Sequence, residues 1–424
     1  MLEVAVAGAL AALIAGVVTG AMVPFATKIA FAVRAVDYPG GRKFHGGAVP
    51  RLGGVAIAMG VAFGAGSVAL MKWTAWGGRV SKAELVAVFV ATGMVFTVGL
   101  ADDIVGVSVA KKFLVEFAAA ALIVYAGWWF SVLGLPGGSA LDLGVMGGIV
   151  TVLWIVGAAN AINLFDGLDG LAGGVVAIIA GSVLVYSLMQ GNLLTVILMG
   201  GLLGACLGFL PHNRMPAKIF MGDAGALTLG FLLAAISVHS SLKSSAAVAI
   251  LIPVLALGVP VMDTVVVMTV RFLERPKGHA VERLLRVFRA DRNHVHHLMQ
   301  RHGASRPVVV RTLYLLVLAS CAMALTVALT KSPGLGMGLV VVEAAAILLV
   351  RTLYLFVLIS CAMALAVALT KSSGLGIALV VVEAAAILLI RTLGLPRLTR
   401  ALSSEQREEL REKWFAPSGP QTNK

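Results

Sequence analysis

Polar residues interrupt this chain at long intervals, and the apolar runs between them approach or exceed the roughly 20 residues a helix needs to cross the hydrocarbon core of a bilayer. Such runs lie near 2–24, 50–71, 83–101, 113–132, 146–163, 171–189, 193–210, 226–240, 246–270, 307–330, 335–350, 352–370 and 375–390. They lack the strict alternation of a lipid-facing strand. The pattern therefore predicts an all-α, polytopic membrane bundle of about 13 crossings. The first run follows Glu3 without a basic start or a small-residue cleavage site, and is read as a retained helix.

One stretch of the pattern is written twice. Residues 311–350 and 351–390 agree at 33 of 40 positions. Each unit reads as two crossings, so the second copy leaves the upstream topology intact. Each also carries one intramembrane acid, Glu343 and Glu383, read as packing between helices. The resulting division is a core at 1–310, a hairpin at 311–350, its copy at 351–390 and a tail at 391–424.

Composition agrees: 59% of residues are hydrophobic, 12% are charged, and the mean hydropathy is +0.98. Orientation follows from the basic residues, because short cytoplasmic loops collect Lys and Arg. The loops on one face, with the tail, hold 27 of the 33 basic residues; the other face holds Lys72, Arg79, Lys82, Lys243, Lys331 and Lys371. The basic face is thus expected to be cytoplasmic. The net charge of +13 is explained by this topology and by anionic lipid, with no nucleic acid required. Cys206, Cys321 and Cys361 stand singly in apolar runs, which indicates neither a disulfide framework nor a thiolate metal site.

The acidic and amide residues concentrate at helix ends on the basic face, in "ADDIVGVSVAKK" (101–112), "NAINLFDGLDG" (160–170) and "PHNRMPAKIFMGDAG" (211–225). Any one of these could be a helix cap; three on one face point to a shared site. A cluster of Asp102, Asp103, Asp166, Asp169 and Asp223 calls for cations, and hard oxygen donors without cysteine suit Mg²⁺, with Mn²⁺ as the alternative. If "DGLDG" is helical, its aspartates share a face. Arg42, Lys43, His45 and Arg51 in a Gly/Pro-rich loop suit phosphate oxygens. In "DRNHVHHL", His294 and His297 would share a helical face with His296 turned away, and the spacing matches no closed tetrahedral zinc pattern.

Taken in order, "RKFHGGAVPRLGG", "GLADDIVGVSVAKK", "NAINLFDGLDGLAGG", "NRMPAKIFMGDAGALTLGF" and "DRNHVHHL" resemble the polyprenyl-phosphate N-acetylhexosamine-1-phosphate transferases over residues 1 to about 350. The resemblance implies Mg²⁺-dependent transfer of a HexNAc-1-phosphate from a UDP-sugar to undecaprenyl phosphate, releasing UMP, at the cytoplasmic face of a bacterial inner membrane. It implies that Asp223, assisted by Asn163, holds the metal, and that Asp102 and Asp103 orient or deprotonate the lipid phosphate. Asp166, Asp169, Asn213 and Phe220 would form the uridine pocket. Lys112 would neutralise phosphate, and His294, His296 and His297 would lie by the pyrophosphate and sugar. A homodimer is compatible with the resemblance.

Two departures stand out: Gly106 where many relatives have a third acid, and Ala226 where they have serine. "HVHH" points to the branch using UDP-GlcNAc for envelope glycans or teichoic acid; the runner-up is the peptidoglycan branch that takes UDP-MurNAc-pentapeptide. An ion-coupled transporter with intramembrane aspartates is the alternative from another class.

Overall fold

The computed structural model describes residues 1–38, 47–71, 81–134, 140–242, 250–273, 294–301, 303–332 and 334–348. Among the described residues up to 273 there are ten helices: α1 Leu2–Ala32, α2 Gly53–Met71, α3 Lys82–Val105, α4 Val109–Tyr125, α5 Gly144–Phe165, α6 Leu171–Met189, α7 Leu193–Asn213, α8 Gly222–Ser241, α9 Leu251–Ala256 and α10 Gly258–Leu273. The helices Val295–Arg301, Arg306–Thr330 and Gly334–Leu348 follow. Among the described residues, eight helices are long and apolar enough to span a membrane. The chain is a multi-pass membrane protein.

The hydropathy pattern missed three features. The run expected at 246–270 is two helices, broken at Leu257. That at 113–132 ends at Tyr125 and gives way to an antiparallel strand pair, Val132–Gly134 with Ala140–Asp142. A second pair, Val36–Asp37 with Val49–Pro50, closes the loop after α1. The all-α reading stands apart from these short ribbons, whose role is to turn the chain between helices.

Small residues set the spacing of the bundle. A Cβ on Gly200, Gly204 or Gly208 of α7 would meet the carbonyl oxygen of Gly8, Ala12 or Gly16 of α1. The two helices thus touch backbone to backbone at every turn, the way membrane helices gain packing where burial from water offers nothing. The same device gathers helices at the acidic face. A Cβ on Gly54 of α2 would strike the Gly225 amide at 2.2 Å, and one on Gly99 of α3 would lie 2.7 Å from the Ala224 Cα. The N-terminus of α8 is thereby seated against α2 and α3.

Residues 1–289 and 310–347 form one compact unit, so the first hairpin of the repeat belongs with the body that carries the aspartates. Residues 290–309 fall in a second unit. The second hairpin, with Glu383, and the tail from 391 lie outside the described residues.

Candidate active site at the acidic helix ends

α3 ends by delivering two neighbouring aspartates to different tasks. The buried Asp103 accepts the Asp223 amide on Oδ1 and the Ala224 amide on Oδ2, each at 2.9 Å. It thus satisfies two of the amide groups that the start of α8 leaves unpaired. The Arg51 guanidinium lies 3.6 Å from Oδ1. Asp102 faces the other way: Oδ1 accepts the Val107 amide, and Oδ2 receives Lys112 Nζ at 2.9 Å. The same Nζ reaches Asp223 Oδ2 at 2.8 Å. One ammonium therefore sits between two carboxylates from helices far apart in sequence. The three side chains are 19–21% exposed, open enough to meet a ligand.

Gly106 has φ +73° and closes α3. A side chain there would be strained by the backbone turn.

The loop after α5 is not helical, which corrects the expectation that Asp166 and Asp169 share a helical face. Asp166 caps α5, its amide donating to the Asn163 carbonyl. Asp169 Oδ2 accepts the Ala217 amide at 3.0 Å and so ties this loop to the one after α7. Asn213 strengthens the tie, with its Oδ1 accepting the Gly170 amide at 3.0 Å and its Nδ2 donating to the Ile219 carbonyl at 2.9 Å. It is 2% exposed and its amide is spent on backbone, so Asn213 shapes the two loops. The Phe220 backbone joins this framework: its amide donates to the Pro50 carbonyl and its carbonyl accepts the Gly53 amide. Burial, and the nearby Asp223, Asp103 and Asp169 carboxylates, raise Asp166 well above the usual carboxylate range. A bound cation would relieve this, because it favours the ionised form.

Sequence reasoning passed over Glu116. It lies one turn beyond Lys112 on α4, only 1% exposed, with Oε2 accepting Asn160 Nδ2. Asn160 also donates to the Val156 carbonyl at 2.9 Å. An ionisable residue inside an apolar helix was the available signal. Among the described residues no hydrogen bond joins Asn163 to Asp223, and no three His, Cys, Asp or Glu side chains form a closed metal cage. The donors that converge are Asp102 and Asp223. Lys112 Nζ lies between them in this structure, and their hard oxygens are the donor type that suits Mg²⁺, which keeps waters and shares substrate phosphates.

Within its own unit the histidine motif also departs from expectation. The helix begins at Val295, so His294 precedes it and its ring stacks on His296 at 5.9 Å and 13°. His296 in turn meets His297 at 4.2 Å. His296 is therefore 1% exposed among its neighbours, not turned away. Burial, with His297 and His294 beside it, pushes its imidazole down to about 3, so it is neutral at pH 7. Arg42, Lys43 and His45 lie outside the described residues.

Comparison with known proteins agrees with the geometry. Residues 85–241, which carry the aspartate pair, the DGLDG loop and Asp223, match the family described as Glycosyl transferase family 4. The chain is 37% identical over 296 residues, 69% of its length and 77% of the relative's, to the Bacillus subtilis protein named "Probable undecaprenyl-phosphate N-acetylglucosaminyl 1-phosphate transferase". It is 35% identical over 336 residues, 74% of its length and 81% of the relative's, to a decaprenyl-phosphate N-acetylglucosaminephosphotransferase of Mycobacterium leprae. A phospho-N-acetylmuramoyl-pentapeptide-transferase of Geobacillus kaustophilus is 32% identical over 255 residues, 57% of this chain and 76% of that one. With the motifs, the helix-end aspartates and these relatives in agreement, the chain belongs to the polyprenyl-phosphate N-acetylhexosamine-1-phosphate transferases.

Proposed function

We propose that this protein transfers GlcNAc-1-phosphate from UDP-GlcNAc to undecaprenyl phosphate at the cytoplasmic face of a bacterial inner membrane, releasing UMP. The observation that carries the reading is Lys112 Nζ between Asp102 and Asp223, at helix ends on the face that holds most of the basic residues. A nucleotide sugar dissolved in the cytoplasm and a phosphate anchored in lipid can meet only at such a boundary. In the reaction a lipid phosphate oxygen bonds to the sugar-linked phosphorus, and the bond from that phosphorus to the oxygen of the leaving UMP breaks.

Little covalent chemistry is asked of the protein, since phosphoryl transfer depends on positioning and on charge stabilisation. Mg²⁺ would be held by Asp223 and Asp102, with Asn163 within the same group of helix ends, and supplies charge neutralisation of the phosphates when bound. Lys112 offers a cation to the phosphates. Asp102 orients the acceptor, Asp103 fixes the α8 terminus beneath it, and the loops of Asp166, Asp169 and Phe220 receive uridine. The resemblance assigns His294, His296 and His297 to the pyrophosphate and sugar, and the residue types of Arg42, Lys43 and His45 suit phosphate oxygens.

The test is purified protein with undecaprenyl phosphate and a panel of UDP-sugars, following UMP. UDP-GlcNAc with Mg²⁺ should release it, and EDTA should stop the release. UMP formed only from UDP-MurNAc-pentapeptide would move the protein to the peptidoglycan branch. Silence with every UDP-sugar, while a related enzyme turns over alongside, would end the transferase assignment.

A further inference from the structure

The first copy of the repeated hairpin reaches the DGLDG loop. Tyr314, near the start of the long helix Arg306–Thr330, donates its hydroxyl to the Gly170 carbonyl at 2.6 Å. Gly170 has φ +78° and stands at the N-terminus of α6, a conformation suited to glycine. Its amide is held by Asn213 from the opposite side. Both polar groups of this one residue are therefore fixed by side chains from separate helices. A Cβ on Gly174, one turn on, would fall 1.9 Å from the Tyr314 hydroxyl oxygen, so the ring lies directly on the α6 backbone.

The hairpin that delivers Tyr314 is itself anchored. Ser320 Oγ donates to Glu343 Oε1 across the two helices of the unit, and Glu343 lies where a Cβ on Gly258 of α10 would be. Glu343 is 3% exposed. The acid thus pins Gly334–Leu348 to Arg306–Thr330 and to α10, in line with the packing role expected of it, and Tyr314 transmits that fixed position to the loop.

We propose that Tyr314 is a positioning residue for the nucleotide-sugar donor: by holding the Gly170 carbonyl it fixes the DGLDG loop, and with it Asp166 and Asp169, in the geometry that receives uridine. This rests on the donor reading given above. The residue touches no reacting atom, so its effect falls on donor binding. The second copy carries Tyr354, Ser360 and Glu383 at the same register, so it contains every side chain the clamp uses.

Tyr314→Phe removes the hydroxyl and keeps the ring. With undecaprenyl phosphate saturating, its KM for UDP-GlcNAc should rise roughly threefold to tenfold, the range of one neutral hydrogen bond. Its kcat and its KM for undecaprenyl phosphate should stay near those of the unaltered protein. Tyr354→Phe should change neither. Deleting 311–350 joins Val310 to Arg351 and brings Tyr354 to the position of Tyr314, and in that shortened protein Tyr354→Phe should now raise the donor KM. An unchanged donor KM in Tyr314→Phe would overturn the proposal, as would a rise confined to the acceptor or a fall confined to kcat. Loss of the donor itself is distinguishable, because the unaltered protein would then release no UMP from UDP-GlcNAc.

Discussion

Helices α3 and α8 run antiparallel, and the two ends of the pair handle polar groups in opposite ways. At one end Asp102, Asp103 and Asp223 gather with Glu116 and Asp166 nearby, against Lys112 and Arg51 among the described residues. At the other end His239 of α8 pairs Nδ1 with Thr195 Oγ1 at 2.8 Å, lies 3.6 Å from Glu84 of α3 through Nε2, and packs its ring on Trp128. The far end resolves its charge locally. Among the described residues the acidic end gathers more carboxylates than cations, which costs stability wherever they ionise unless a further cation offsets them. Folding alone gives no reason to keep that imbalance, and this contrast favours the acidic end as the proposed site.

Substitutions at the two ends put this contrast at risk, beginning with the greatest effect. Asp223→Asn should leave the protein folded in detergent and lower turnover on the order of 10²-fold or more, the scale of losing one preorganised electrostatic contact. Asp142→Asn is the control, and equal losses at both would reduce the acidic end to ordinary structure. Asp103→Ala should act on folding instead. It strips two amides at the start of α8 of their acceptor, and the thermal midpoint in detergent should drop by the equivalent of about 2 kcal/mol.

Lys112→Met removes the ammonium between two carboxylates. Turnover should fall about tenfold, as for loss of a charged hydrogen bond, and the Mg²⁺ concentration giving half-maximal rate should change with it. A metal requirement identical to that of the unaltered protein would separate Lys112 from the cation position. Glu84→Gln at the far end should be the mildest. It should cost less than about 1 kcal/mol, as partly exposed pairs do, with UMP release unchanged; a large loss of activity would erase the difference between the ends.

How far these assignments could be read in advance depends on what each residue does. Long apolar runs have few solutions in a bilayer, so α2, α3 and α5 to α8 were legible from hydropathy. The break at Leu257 was not, because both sides of it are apolar and the pattern carries no mark. The aspartates announced themselves by type and by face. Which of Asp102 and Asp103 looks into the site was hidden, since that depends on where the α8 amides sit, fixed by the close approach at Gly99. His296 was misplaced for a similar reason: the helix begins one residue after His294, so helical spacing does not apply to it. Glu116 and Tyr314 were missed because their partners, Asn160 and Gly170, are distant in sequence.

α8 has a consequence for how the protein is made. Its most apolar window is wholly enclosed by the rest of the bundle, and that window's mean hydropathy of 1.5 is the lowest of the eight spanning helices. Thr228, Ser237, His239, Ser240 and Ser241 all lie buried along it. A helix enclosed by its neighbours has little need of a lipid-facing surface, and this one carries Asp223 on the least apolar of the spanning segments. α2 and α3 leave the ribosome first and present the glycines that receive it. The seat for the N-terminus of α8 is thus built from helices that are synthesised before it.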